Sequence, residues 1–162
     1  MRYADMILDE CYNGPHWGCT FAVQGCHKCC PGCFNPETWD FDGGKEFNSD
    51  VLYDLIKALS KPYIKRLSIQ GGEPLCKENL FITCLICDTI RRKYPDIKIY
   101  IWTGYTKEEL EETTDPKIKK ILDGTYADYL IDGPFIEAEK DLSLFMRGSK
   151  NQRIIKLNKG DT

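Results

Sequence analysis

The sequence predicts an α/β fold, a partial and open parallel β/α barrel, on three observations. Short apolar runs that read as strands alternate with amphipathic stretches that read as helices, the pattern of βα units joined by right-handed crossovers. Glycine, proline or a capping residue punctuates most boundaries between them. The chain has 162 residues, whereas a closed eight-stranded barrel takes ~250 residues, so the barrel is expected to stay open. No repeat, low-complexity segment or linker divides the chain, and one domain is expected over residues 1–162.

Residues 1–19 hold a turn signal, Asn13-Gly14-Pro15, and no predicted element. Residues 20–24 are largely apolar, are bounded by Gly25, and read as a buried first strand. Residues 34–48 read as irregular, with Pro36, Gly43 and Gly44. A helix is expected from Ser49 as N-cap, with Val51, Leu52, Leu55, Ile56 and Leu59 on its buried face and Pro62 as its stop. A second strand is read at 64–70. A helix follows at 78–94, with Phe81, Cys84, Leu85, Ile90 and Tyr94 facing inward. The third strand is read at 97–101, from the alternation of isoleucines with Lys98 and Tyr100. Thr106 and Glu109 form a capping box. Asp115-Pro116 opens another helix, which ends at Gly124. Strands at 126–131 and 153–157 complete the reading.

Composition narrows the function. Hydrophobic residues make up 42% and charged residues 29%, the balance of a soluble globular chain. A net charge of −3 leaves no general footprint for nucleic acid. No apolar run is long enough to span a bilayer, and the first residues lack the apolar core of a signal peptide, so neither a membrane nor secretion is expected. The nine cysteines gather mostly in one loop and on one helix, which argues for a reduced, cytoplasmic setting and a metal site.

The chemistry-bearing stretch is residues 25–35, Gly-Cys-His-Lys-Cys-Cys-Pro-Gly-Cys-Phe-Asn. Cys26, Cys30 and Cys33 have C-x3-C-x2-C spacing, and Cys29 competes for the register. Thiolates are soft ligands that suit iron–sulfur clusters or zinc. Three ligands on a four-iron cluster leave one iron open to a substrate. A structural zinc site completed by Cys19 or Cys29, or a redox pair at Cys30 and Cys33, is the plainer reading of the loop alone. Gly71-Gly72-Glu73-Pro74 follows the second predicted strand; two glycines let a ligand approach the backbone, and a carboxylate suits a ligand ammonium. The cysteine loop, Gly71-Gly72-Glu73, Trp102-Thr103-Gly104-Tyr105 and Asp132-Gly133 each follow a predicted strand. In a parallel sheet that gathers them at one end.

Cysteine spacing and Gly-Gly-Glu together resemble the radical S-adenosylmethionine (SAM) enzymes. The resemblance narrows with Asn13-Gly14-Pro15, Cys30-Pro31-Gly32-Cys33 with Asn35, Trp102-Thr103-Gly104-Tyr105, Asp132-Gly133 with Phe135, and Arg147-Gly148-Ser149 with Asn151-Gln152-Arg153. In that order, over nearly the whole chain, the set is similar to the activating proteins of anaerobic ribonucleoside-triphosphate reductase. The resemblance implies a barrel of the radical SAM type and a 4Fe–4S cluster on Cys26, Cys30 and Cys33 with one open iron. It implies SAM held by Gly71, Gly72 and Glu73, with Asn35 and Thr103 as further cofactor contacts. The reaction implied is reductive cleavage of SAM to place a glycyl radical on the large subunit of that reductase, with a reductant such as flavodoxin and no catalytic acid or base. The family usually follows Asn-Gly-Pro with glycine and then arginine, where this chain has His16-Trp17-Gly18; His16 and Lys28 are the residues at hand to substitute.

Cys84 and Cys87, at i, i+3 on a predicted helix, read as small core hydrophobes, and so do Cys11, Cys19 and Cys76. His27 reads as a loop residue. Residues 147–153 read either as a solvated tail or as a docking or site-ordering segment. Three other functions stay open: activation of another glycyl-radical enzyme of the pyruvate formate-lyase type, a non-catalytic zinc or iron–sulfur protein, and an electron-transfer ferredoxin.

Overall fold

A computed structural model describes residues 1–158; the last four residues of the expected domain lie outside it. Seven strands form one open sheet in the order β3-β1-β2-β4-β5-β6-β7. They are β1 (Arg2–Glu10), β2 (Gly18–Val23), β3 (Lys45–Glu46), β4 (Arg66–Gly71), β5 (Lys98–Trp102), β6 (Tyr129–Asp132) and β7 (Arg153–Lys156). The inner four, β2, β4, β5 and β6, are parallel. β1 and β3 extend one side antiparallel, and β7 closes the other side antiparallel to β6. Four helices, α1 (Ser49–Leu59), α2 (Leu80–Lys93), α3 (Lys107–Glu111) and α4 (Pro116–Leu122), lie between strands.

The parallel strands join the sheet in chain order, each beside the last. Right-handed crossovers taken always in one direction put every helix on one face. The core agrees: Phe21, Val23, Leu67, Ile69, Ile99, Ile101 and Leu130 form one cluster with Leu55, Leu59, Ile82, Ile86, Ile90, Ile118 and Ile121 of the helices. Side chains alternate across a strand. The opposite face therefore carries Thr20, Arg66, Ser68, Gln70, Tyr100, Trp102 and Tyr129, and Tyr100 stacks on Tyr129 at 4.6 Å. That polar, aromatic face reaches the cavity above the strand ends through Gln70 and Trp102.

The predicted strands and helices recur with shifted ends. The capping box at Thr106 and Glu109 is formed, and the Asp115 side chain caps α4. Four expectations are corrected. A nine-residue strand, β1, occupies the segment read without elements. Asn48, not Ser49, caps α1, accepting from the amides of Asp50 and Val51 at 3.0 and 3.1 Å. Phe81 is exposed, because α2 turns Ile82 and Ile86 inward beside the expected Ile90. Cys11 is exposed in the loop after β1, whereas Cys19, Cys76, Cys84 and Cys87 are buried as expected.

Candidate functional site

The cysteine loop leaves the end of β2 and is fastened first by backbone. The Gly25 and Cys26 amides donate to the carbonyls of Thr38 and Trp39, and residues 36–38 form a 3-10 turn opened by Pro36. Within the loop, Cys33 N–H donates to the Cys30 carbonyl at 3.0 Å, closing a turn over Pro31-Gly32. A parallel latch ties the loop to the end of β4: the Gly72 amide donates to Val23, and the Glu73 amide to Gly25 at 2.9 Å. The Asn79 side-chain amide then bridges the carbonyls of Gly25 and Glu73. Gly72 is required there, because a Cβ would stand 2.3 Å from the Gly25 oxygen.

A cavity of about 390 Å³ opens above the strand ends. Cys26, Cys30 and Cys33 line it together with Asn35, Gly71, Gly72, Glu73, Trp102, Thr103, Gly104 and Gly133. All four post-strand segments thus border one space, as do all eight residues singled out for cluster and cofactor. Cys29 is not on the wall. Its backbone is left-handed (φ 43°), and its thiol turns to the Cys26 carbonyl at 3.4 Å. Cys19 lies on the helix-facing side of β2, its thiol on the Leu8 carbonyl at 3.2 Å. Burial pushes the Cys26 thiol up, against backbone hydrogen bonds from Cys29 and Lys28. Among the described residues, no three His, Cys, Asp or Glu side chains stand close enough to hold a single ion. Three half-buried soft thiols around one space fit a polynuclear iron–sulfur group.

Glu73 is 1% exposed. Its Oε1 accepts from Thr103 Oγ1 at 2.7 Å and from the Leu75 amide at 3.0 Å, and Oε2 accepts from the Gly104 amide at 2.7 Å. Burial pushes this carboxyl up, while those donors and the charge of Lys28 pull it back. The carboxylate thereby braces the end of β4 to the turn after β5, and the backbone of Gly71 and Gly72 borders the cavity beside it. Asn35 offers its carbonyl to Thr38, and its amide approaches the Cys33 sulfur at 3.5 Å. His27 pairs with Glu78 at 3.0 Å in solvent.

Residues 147–153 order the opposite wall. Gln152 Oε1 accepts from the amides of Gly148 and Ser149, and its amide nitrogen donates to the Gly133 carbonyl at 3.0 Å. Asn151 donates to the Pro134 carbonyl at 2.7 Å. Arg153 clasps both Asp132 and Glu108. Trp102 Nε1 donates to the Met146 carbonyl at 2.9 Å. Met146, Arg147 and Gln152 all line the cavity, so the segment is site-ordering rather than a free tail.

One buried pair escaped the sequence reading. Arg66, 1% exposed, meets Glu10 at 2.8 Å on the floor of the sheet. Glu10 also accepts from Thr20 Oγ1 and from the amides of Tyr12 and Asn13. Arg66 reaches the Pro15 carbonyl, and its partner Ser68 the Asn13 carbonyl. The loop carrying Tyr12 and Asn13 is thereby held on the cavity wall. The one signal was a charged residue inside an apolar strand. His16 is exposed and off the wall, whereas Lys28 is on it.

Comparison with known proteins shows the family to which the chain belongs. A family described as a 4Fe-4S single cluster domain matches residues 12–155. The anaerobic ribonucleoside-triphosphate reductase-activating protein of Vibrio cholerae is 35% identical over 95% of this chain and 97% of its own length. Its counterpart in Escherichia coli K12 is 35% identical over 94% and 96%, and that of phage T4 is 32% identical over 95% and 93%. Similarity at this level along nearly the whole of each chain makes this protein a member of the anaerobic ribonucleoside-triphosphate reductase-activating protein family.

Proposed function

We propose that this chain is a radical SAM activase, built as one domain on a partial β/α barrel, that generates a glycyl radical on the large subunit of anaerobic ribonucleoside-triphosphate reductase. The observation that carries the reading is the sharing of one cavity by Cys26, Cys30, Cys33 and Gly71-Gly72-Glu73, with Cys29 turned away. Cys26, Cys30 and Cys33 would hold a 4Fe–4S cluster, and the backbone of Gly71 and Gly72 would receive the amino group of SAM. Once bound and reduced, the cluster would supply the one electron that splits the C5′–S bond of SAM into methionine and a 5′-deoxyadenosyl radical, and taking a hydrogen atom from the partner glycine would turn that radical into 5′-deoxyadenosine. The chain's own work is to orient and enclose. Glu73, Thr103 and Asn79 fix the backbone that meets the ligand, and residues 147–153 hold the far wall. Asn35 and Thr103 support that frame through their hydrogen bonds. The relatives are activating proteins of anaerobic ribonucleoside-triphosphate reductase, which points to that enzyme as the partner, and a flavodoxin-type reductant would supply the electron. No helix among the described residues is long and apolar enough to cross a membrane, and the reading places the reaction in the cytoplasm, away from nucleic acid.

The test is anaerobic reconstitution, reduction and addition of SAM, with 5′-deoxyadenosine as readout. Cys30→Ala is expected to abolish product and bound sulfide, and Cys29→Ala to keep both. Iron with no product from the unaltered protein, or zinc without sulfide, would overturn the reading.

A further inference from the structure

One loop carries apolar side chains from the cavity wall out into solvent. Residues 140–149 close on themselves: Lys140 bridges Ser149, and the Asp141 amide donates to the Gly148 carbonyl at 3.1 Å. Leu144, Met146 and Arg147 of this loop line the cavity. Leu142 and Phe145 stand outside, 76% and 60% exposed. The tip that bears them is pinned. Asp141 Oδ1 accepts from the Ser143 amide at 3.0 Å and from its hydroxyl at 2.6 Å, and Trp102 Nε1 holds the Met146 carbonyl. At the base of the loop, a Cβ on Gly148 would stand 2.7 Å from Phe34 Cε2 and 3.1 Å from Phe135 Cδ2. Phe34 belongs to the cysteine loop, is exposed, and meets the Phe135 ring at 5.0 Å. Both rings line the cavity, and so does the exposed Tyr12. An apolar rim thus runs from the cysteine loop over Phe135 to the 140–149 loop. Contiguous exposed apolar surface at the edge of a polar opening is the mark of a binding surface.

We infer that Leu142 and Phe145, with Phe34 and Tyr12, dock the large subunit of the reductase, whose surface flanking the reactive glycine covers this rim. The inference rests on the reading of the protein as the activase of that reductase. The hydrogen to be taken belongs to the main chain of a folded protein. Its glycine reaches the cavity only if the surface around it meets the mouth, and the rim is continuous with that mouth. Covering apolar side chains releases their water and leaves no polar group to hold it, so the contact that docks the partner also seals the opening. An electron donor needs only to approach the cluster and does not have to cover the opening. The pinned tip spends little ordering entropy on contact.

Anaerobic titration calorimetry of the reconstituted holoprotein with the purified large subunit tests this, beside the yield of glycyl radical read by electron paramagnetic resonance. Iron, sulfide and the 5′-deoxyadenosine formed without the large subunit verify that each variant is loaded and cleaves SAM. Leu142→Ser combined with Phe145→Ser is expected to weaken binding by about 10- to 100-fold, the size of two partly buried apolar side chains. Radical yield should fall at limiting large subunit and recover when its concentration is raised, while 5′-deoxyadenosine formed without it stays unchanged. Tyr53→Ser removes an aromatic side chain that is 63% exposed on α1, and it should alter neither readout. Unchanged affinity in the double variant, or an equal loss in Tyr53→Ser, would overturn the inference. So would a loss confined to flavodoxin-driven turnover, or to self-association of the holoprotein in sedimentation, with affinity for the large subunit intact. If the unaltered holoprotein cleaves SAM yet neither binds the large subunit nor yields a radical, the activase reading fails and takes the docking surface with it.

Discussion

Glu73 sets the terms at the scale of single residues. Its carboxyl is raised by burial, so its contribution to folding is full below the ordinary glutamate range and declines as pH rises through the raised value. Thr103 donates to the ionised form. Thr103→Val is therefore expected to cost about 1.5–3 kcal/mol at pH 8 and clearly less at pH 5, read by urea unfolding at both. Equal costs would mean that the carboxyl keeps one protonation state across that range. Glu10 has the opposite sign. Burial pushes it up, but donors from Asn13, Thr20, Arg66 and Tyr12 outweigh burial and hold it below the ordinary range. Its contribution is present at neutral pH and lost as pH falls through that lowered value. Arg66→Met strands a buried carboxylate, and we expect a loss of about 3–5 kcal/mol at pH 7 that shrinks on acidification. The guanidinium also fills the space over Gly18, where a Cβ would stand 2.7 Å from its Cζ.

Among elements, those that interact locally were readable. Thr106 with Glu109, and Asp115 with Pro116, announce helix starts by groups that bond within the same few residues. β1 announces nothing, because Arg2, Asp5, Asp9 and Glu10 break any clean alternation. Its pairing with β2 comes from neighbours the sequence cannot display. The choice between Ser49 and Asn48 as cap turned on which residue keeps an extended backbone, and that is Asn48, while the inward face of α2 turned on where the sheet lies. The cysteine and Gly-Gly-Glu motifs were legible because chemistry fixes their spacing. Their mutual latch, Glu73 N–H to the Gly25 carbonyl, was not. Residues 147–153 were visible as a motif whose role, solvated tail or docking or site-ordering segment, stayed open, since their partners lie at Asp132, Gly133 and Pro134. Gln152→Ala would leave the Gly148 and Ser149 amides short of an acceptor. We expect it to lower stability by about 1–3 kcal/mol and to loosen the wall at Met146. Loss of SAM affinity with iron and sulfide intact would register that loosening.

Taken as one molecule, the sheet has helices on one face and chemistry on the other. Two edges remain, the two-residue β3 and the largely exposed β7. β7 is paired on one side only, with Arg153 and Lys156 as charged residues that discourage further pairing. In native-state hydrogen exchange, amides of β7 are expected to exchange well before those of β4 and β5, which are paired on both sides. Synchronous exchange would show that the tail and the core open as one unit. The chain-order placement of β2, β4, β5 and β6 also bears on assembly. Each strand docks beside its predecessor, but across the whole of the intervening chain, as the pairing of Gly18 with Arg66 shows, so the core grows in chain order through non-local contacts. The wall bearing Met146, Arg147 and Gln152 comes after all four parallel strands in chain order. Those strands leave the ribosome before it does, so the sheet can assemble before its reactive space is enclosed.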